Sequence, residues 1–295
     1  LGPRYVAPRR RMMPGSESDC VWDIPLIEQL QALITFDRSA AAQIIDSSAD
    51  WSSTAAEPLD PTTPRTWSDI TDGDLFKNHP KLGTTSGATP CEVSGSGVKT
   101  AWKIYYDDVE VSNPLGVARG IHAIGAIYLS LINLHPDTRS RLEYTFVATI
   151  ALTSVIKKYG MLAVLAGAHL DGSLDDQATT SLGAQMRALN AGVKLLYPVN
   201  GAFGGAVQRT TYGWALIACA DFPAAAKMVG TSGSTSAKLP CRLCNWERES
   251  SVAWAPSSFL VRPRIARRWT LRNLSNTDAA IAQAQMKSSA AAKAA

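Results

Sequence analysis

The sequence predicts an α/β domain on one mixed sheet, an antiparallel meander extended by a further strand through a helical crossover and flanked by helices. Three observations point there. Three β-rich runs follow one another between residues 101 and 152 with short turns between them. The hydrophobic period then becomes helical over Ser154–Leu170. Finally, a near-continuous apolar run, Trp214–Ala220, leads into Asp221. With 46% hydrophobic residues in a chain of 295, there is material for a sizeable core.

Residues 1–20 are basic and carry Pro and Gly, which predicts a flexible lead. Over Trp22–Phe36, Ile24, Ile27, Leu30, Leu33 and Ile34 recur at helical spacing with Glu28, Gln29 and Gln31 between them. That pattern predicts an amphipathic helix with Pro25 in its first turn, where the missing N–H costs least. The stretches 46–68 and 83–97 are rich in small and polar residues and read as loops, while Asp72–Pro80 between them predicts a short turn and helix.

Residues 101–111 (AWKIYYDDVEV) form the first predicted strand, with an Asp pair near its end. The turn residues Asn113–Gly116 follow, and the second and third runs are His122–Leu134 and Tyr144–Leu152. Ser154–Leu170 predicts a helix weakened by Gly160, and Thr180–Asn190 predicts another. Gly192–Pro198 and Val207–Asp221 read as strands, the latter as a central strand buried on both faces, and Pro223–Val229 restarts a helix. The tail Ala279–Ala295 has helix propensity but little apolar face, which predicts a frayed or disordered end. The expected organisation is therefore a lead (1–20), an N-terminal helical and loop region (21–100), a core (101–250) and a basic, Ala-rich tail (251–295).

A formal net charge of +4 is mild, but the arginines gather at the ends: Arg4, Arg9, Arg10 and Arg11, then Arg262, Arg264, Arg267, Arg268 and Arg272. Such ends can neutralise phosphates without reading sequence, and they equally suit solvated tails. Five cysteines, at 20, 91, 219, 241 and 244, are too few and too uneven for a secreted disulfide framework. No apolar run follows the N-terminal basic residues, and the other apolar segments are broken before they reach membrane-spanning length. The expectation is a soluble intracellular protein without a membrane partner.

Three strands, a helix and a buried strand is the order of an RNase H-like core. In such a core the first strand lies beside the strand after the crossover, so Asp107 or Asp108 and Asp221 converge although over a hundred positions separate them. Convergent carboxylates are what two-metal phosphoryl transfer requires, because hard divalent ions take oxygen ligands. The plainer reading makes the Asp pair a turn initiator and Asp221, followed by Phe222 and Pro223, a helix cap. Topology alone leaves both open.

Six segments add a resemblance: IPLIEQLQALITF (24–36), DITDGDLFKNHP (69–80), IYYDDVEVSNPLGVARGIHAIG (104–125), AIYLSLINLHP (126–136), IKKYG (156–160), and DFPAAAKMVG (221–230) followed by CRLCN (241–245). In this order they resemble transposase-derived proteins related to DDE transposases of the CACTA and Plavaka kind, over roughly residues 21–249. DDVEVSNPLG and CRLC are the most specific blocks.

The resemblance implies an RNase H-like fold that cuts and joins DNA with Mg²⁺ or Mn²⁺, the first acid falling on Asp108 or Asp107 and the second on Asp221. A third acid is expected well beyond the CxxC, and only Glu247, Glu249 and Asp278 follow Asp221. The expectation is thus a C-terminally truncated, catalytically incomplete strand-transfer enzyme, with a nuclear location, DNA as partner through the basic termini, and a homo-oligomer as a further partner. Cys241 and Cys244 make half a possible Zn²⁺ site; no Cys or His follows them and His79, His122, His135, His169 and Cys219 lack ligand spacing, so the expectation is an unmetallated turn. Two alternatives stand beside this: a domesticated nucleic-acid- or protein-binding module without catalysis, and an unrelated α/β domain.

Overall fold

The computed structural model describes residues 6–53, 69–77, 79, 81–82, 97–110, 123–166, 179–199 and 205–220. The chain divides into two compact units, Leu1–Cys219 and Ala220–Ala295, and the architecture below is that of the first.

Its centre is the predicted meander. Strands β3 (Val98–Glu110), β4 (Ala123–Leu131) and β5 (Thr145–Leu152) pair antiparallel in sequence order. Strand β7 (Ala206–Cys219) pairs parallel with β3, and β6 (Val193–Pro198) closes that side antiparallel to β7. On the other side β2 (Cys20–Asp23) pairs with β5 and β1 (Arg9–Met12) with β2, giving the order β1-β2-β5-β4-β3-β7-β6. The result is a mixed α/β sheet with helices packed on it, compatible with an RNase H-like fold.

Helices α1 (Leu26–Phe36), α5 (Thr153–Ala166) and α6 (Leu182–Ala191) cover one face. In α1 the buried residues are Leu26, Leu30, Leu33 and Ile34, the i, i+4, i+7, i+8 stripe of a core-facing helix. Against this layer the sheet buries Trp102, Tyr106, Leu129 and Phe146, with Trp102 and Phe146 edge-to-face at 5.1 Å. Gly213 admits α6 closely, since a Cβ there would lie 2.8 Å from Thr100 Oγ1 and 3.2 Å from Leu189 Cβ. A smaller apolar cluster, Trp51, Phe76, Leu82, Ala101, Ile132 and Trp214, joins α2 (Arg38–Ser53) and α3 (Asp74–Lys77) to the sheet.

Several expectations need correction. Within the lead of residues 1–20, Arg9–Met12 is a sheet strand, because Arg11 has a buried partner. It is 7% exposed, its Nε donates to Asp23 Oδ2 at 2.6 Å, and its Nη2 donates to the Val164 carbonyl at 2.6 Å. Asp23, fully buried, also accepts from Thr149 Oγ1 at 2.9 Å and Thr180 Oγ1 at 3.4 Å. This ion pair converts a charge run into an interior clip, and it brings β1 and β2 into the core sheet rather than a region beside it.

The helix read from Trp22 begins only at Leu26, since Cys20–Asp23 is spent on β2. The loop read from residue 46 is helix α2 as far as Ser53. Asp37 Oδ1 caps that helix through the Ala40 N–H at 3.0 Å, and a narrow stripe of Ala40, Ala41, Ile44 and Trp51 buries it. Strand β7 is not buried on both faces: Val207, Ala215 and Ala218 are exposed although β3 and the edge strand β6 flank it in the sheet, because strand neighbours do not cover a sheet's faces. Gly160 does more than weaken α5. It sits at φ 81°, ψ 157°, outside the helical region, and kinks it.

The edge strand β6 is guarded. Gln31 of α1 donates from Nε2 to the Leu196 carbonyl and accepts from the Leu196 N–H at its Oε1, both at 2.9 Å, and so occupies backbone groups that would otherwise pair with another strand. Pro198, with no N–H to offer, ends the strand.

Candidate functional site

Asp107 and Asp108 lie near the C-terminal end of β3, paired with Ala126 and Gly125 of β4. Because side chains alternate along a strand, the two acids leave the sheet on opposite faces. Asp107 is exposed and shares its face with Tyr105 and Tyr128, whose rings stack 5.1 Å apart with Lys103 Nζ 4.6 Å from the Tyr105 centroid. Burial, then the charge of Asp107, then Tyr105 raises the Tyr128 phenol above its usual pKa.

Asp108 stands on the helix-covered face, partly buried. Its Oδ1 accepts from the Tyr106 hydroxyl, two positions back on the same face, and from Thr153 Oγ1 at 3.4 Å, the first residue of α5. Gly125 makes this contact sterically feasible. A Cβ there would sit 2.3 Å from Ile156 Cδ1, 3.0 Å from Tyr106 Cε2 and 3.1 Å from the Tyr106 hydroxyl. The phenol therefore lies in space that any larger residue would contest.

The second acid-bearing strand runs alongside. In the parallel β3–β7 register, with a shift between Trp102 and Lys103, Cys219 is the partner of Tyr105. The described strand stops there, two residues short of Asp221, opposite a point two residues short of Asp107. Asp221 itself lies outside the described residues, as do Cys241, Cys244, Glu247, Glu249 and Asp278. Glu110 closes β3 opposite Ala123, and its side chain lies outside them too.

The described histidines have structural partners. His79 Nδ1 accepts from the Lys81 and Leu82 N–H groups at 3.2 and 3.1 Å, its ring lies 6.4 Å from Trp214, and burial holds its imidazole below the usual value. His135 caps α4 (Pro136–Arg139) through the Asp137 N–H at 3.4 Å. His122 and His169 lie outside the described residues, and Cys219 is a free, partly buried thiol. Among the described residues no three His, Cys, Asp or Glu gather closely enough to hold an ion, and no helix is long and apolar enough to cross a membrane.

Sequence reasoning placed Asp107 and Asp108 at the end of the first core strand but missed Tyr106, Thr153 and Gly125. Strand period two already puts Tyr106 on the face of Asp108, whereas Thr153 and Gly125 are visible only once the register is known. No protein-family model matches the sequence, and comparison with curated proteins returns no match.

Proposed function

We propose that this chain is a transposon-derived, DNA-transposase-like protein carrying two carboxylate positions of a metal-dependent phosphoryl-transfer site, on β3 and just after β7, and that alone it does not cut or join DNA. The supporting observation is the parallel pairing of β3 with β7. In sequence Asp221 follows Cys219 by two positions, as Asp107 follows its partner Tyr105 by two. A helix cap alone requires no such neighbour.

The donor chemistry suits Mg²⁺ or Mn²⁺: Asp108 offers carboxylate oxygen to a hard cation, and the hydroxyls that hold it leave its charge intact. Such ions, when bound in a pair, stabilise charge on the attacking and leaving oxygens of an in-line displacement. The chain's own part is to hold the acids in place. Two protein acids are fewer than such a site ordinarily uses, which is why this chain alone is inactive in this reading. Cys241 and Cys244 would make half of a four-ligand Zn²⁺ site, and with no further ligands at matching spacing this reading leaves them unmetallated. DNA binding, with the nuclear location it entails, rests less on the N-terminus than the arginine count suggests. Arg11 is neutralised by Asp23 and Arg9 pairs with Glu28, which leaves Arg10, exposed, together with Arg4 and the arginines of 262–272, which lie outside the described residues.

The test is the melting temperature in chelator and in Mn²⁺. At an ion concentration of about 100 Kd, binding stabilises by roughly 2.7 kcal/mol, or about 5–10 °C for a domain of this size. Asp221→Asn is expected to abolish that rise and to raise the chelator value by relieving carboxylate repulsion. A loss of about 1 kcal/mol in chelator, with no response to Mn²⁺ in the unsubstituted protein, would return Asp221 to a helix cap. Metal-dependent nicking of supercoiled DNA that vanishes in both Asp108→Asn and Asp221→Asn would refute the inactivity and point to Glu110, Glu247 or Glu249.

A further inference from the structure

We propose that the open face of the sheet, opposite α1, α5 and α6, docks a second copy of this chain, face to face about a two-fold axis that runs along β5. The strand register defines that face. Arg10, Trp22, Ile150, Ala126 and Asp107 follow one another as cross-strand partners from β1 to β3, so their side chains leave the sheet on the same side. One residue along each strand the row reads Arg11, Val21, Ala151 and Gly125, all of them buried. A sheet face in water ordinarily carries polar residues. Here Trp22 is 45% exposed, and the neighbouring row sets Leu152 (50%) and Val109 (51%) on either side of Ile124. Exposed apolar patches of this kind mark docking surfaces.

The order of residues along the row selects the partner. β5 lies midway between β1 and β3, so a two-fold axis along it carries β1 of one copy over β3 of the other and β2 over β4. Arg10 then meets Asp107 of the second copy, and the contact occurs twice in the dimer. Neither residue has an ion-pair partner among the described residues of its own chain. A long Arg and a short Asp together suit the gap of about 10 Å between packed sheets. Trp22, the bulkiest side chain of the row, lies over Ala126, the smallest, and Ile150 lies against Ile150. In the next row Met12 and Cys20, themselves cross-strand partners, come over Val109 and Ile124. Charge meets counter-charge, bulk meets a gap, and apolar meets apolar. Asp107 would repel a polyanion laid across the same row.

The contact is small. Strands about 4.8 Å apart and residues about 3.3 Å apart give a footprint of about 24 Å by 17 Å, or about 400 Å² per copy. Two such footprints fall below the roughly 1,200 Å² at which stable complexes begin, so the dimer is reversible and forms as concentration rises. Nothing in this contact depends on bound metal. In the dimer Arg10 is no longer free to meet phosphate.

Sedimentation velocity of the full chain from about 1 μM to 1 mM, the span over which a weak contact saturates, tests the pairing. The unsubstituted protein is expected to pass from monomer to dimer. Arg10→Asp and Asp107→Arg each set like charges opposite one another twice, and each should weaken association at least about tenfold. Mixed in equal amounts, the two variants should dimerise again, because each supplies the charge that the other has lost. The double variant Arg10→Asp/Asp107→Arg should dimerise on its own. Ala126→Phe, which fills the space under Trp22, should block the contact without touching a charge. Both charged positions are exposed, so the fold should survive these exchanges. An unsubstituted chain that stays monomeric throughout overturns the proposal. So does a dimer that either single variant leaves unchanged, or a mixture of the two that stays monomeric. A monomer that binds a single-stranded oligonucleotide, with binding lost in Trp22→Ala, overturns it too and assigns the face to nucleic acid.

Discussion

Replacing Arg11 by Met isolates the clip that holds the N-terminal strand. In the native chain the guanidinium is 7% exposed and contacts a carboxylate that is fully buried, together with the carbonyls of Ala163 (3.4 Å) and Val164 (2.6 Å) in α5. Met keeps an unbranched apolar stem but removes the guanidinium and its charge. It leaves the buried Asp23 carboxyl without its cation, with Thr149 and Thr180 as donors, and it strips two carbonyls of a partner. Breaking a buried pair from one side costs about 3–5 kcal/mol, which corresponds to a melting temperature about 6–20 °C lower for a domain of this size. Asp23→Asn should cost a similar amount, because it buries the guanidinium instead. The double variant Arg11→Met/Asp23→Asn should cost clearly less than the sum of the two. Urea denaturation followed by tryptophan fluorescence measures all three, and tryptic cleavage after Arg10 should accelerate in both single variants. If Arg11→Met costs less than about 1 kcal/mol and the effects add, the N-terminal strand is not docked through this pair and the reasoning fails.

Three further outcomes are expected. Asn133 bridges β3 and β4 beyond their ladder, accepting from the Ala101 N–H at 3.0 Å and donating to the Lys99 carbonyl at 2.9 Å. Asn133→Ala should cost about 2–3 kcal/mol in a denaturant titration, and a cost within error of zero would mean that water replaces it. His79, held below its usual pKa by burial, contributes stability that is full above the unfolded value of about 6.5 and is lost as pH falls through its lower native midpoint. The melting temperature should therefore fall on acidification from pH 7 to 5, and less steeply in His79→Gln. Gln31→Ala should change monomer stability by less than about 1 kcal/mol yet promote concentration-dependent association by uncovering Leu196, and light scattering that stays flat across concentration would contradict the guarding role.

The meander was legible because its signals are local. Alternation and turn residues placed the three runs within a few positions of Val98–Glu110, Ala123–Leu131 and Thr145–Leu152. β1 was hidden because three of its four residues are arginines, and nothing near them announces that Arg11 meets Asp23 on the adjacent strand. α2 was hidden by its Ala and Ser content, since a stripe made mostly of small residues carries a weak helical period. The burial of β7 was overestimated because an apolar run reports composition, whereas the cover over each face of a strand is set by tertiary packing. At the site, the Asp pair was visible as residues, but what sets its members apart is the register that puts Gly125 beside Asp108 and the helix that brings Thr153 to it. Those are contacts across 17 and 45 positions, beyond any local pattern.

The parallel partner of β3 also has a consequence for the order in which the protein is made. β3 ends at Glu110, and β7 is complete only at Cys219, 109 positions later. At ribosomal rates of about 5–20 residues per second, that interval lasts about 5–20 s. Throughout it the 13-residue β3 is an edge strand, with β4 on one side and unpaired backbone on the other. The sheet's most central acids thus lie on a strand that stays open to foreign pairing until late in synthesis. The Lys103, Asp107, Asp108 and Glu110 charges spaced along it act as gatekeepers during those seconds, before any site exists for them to serve.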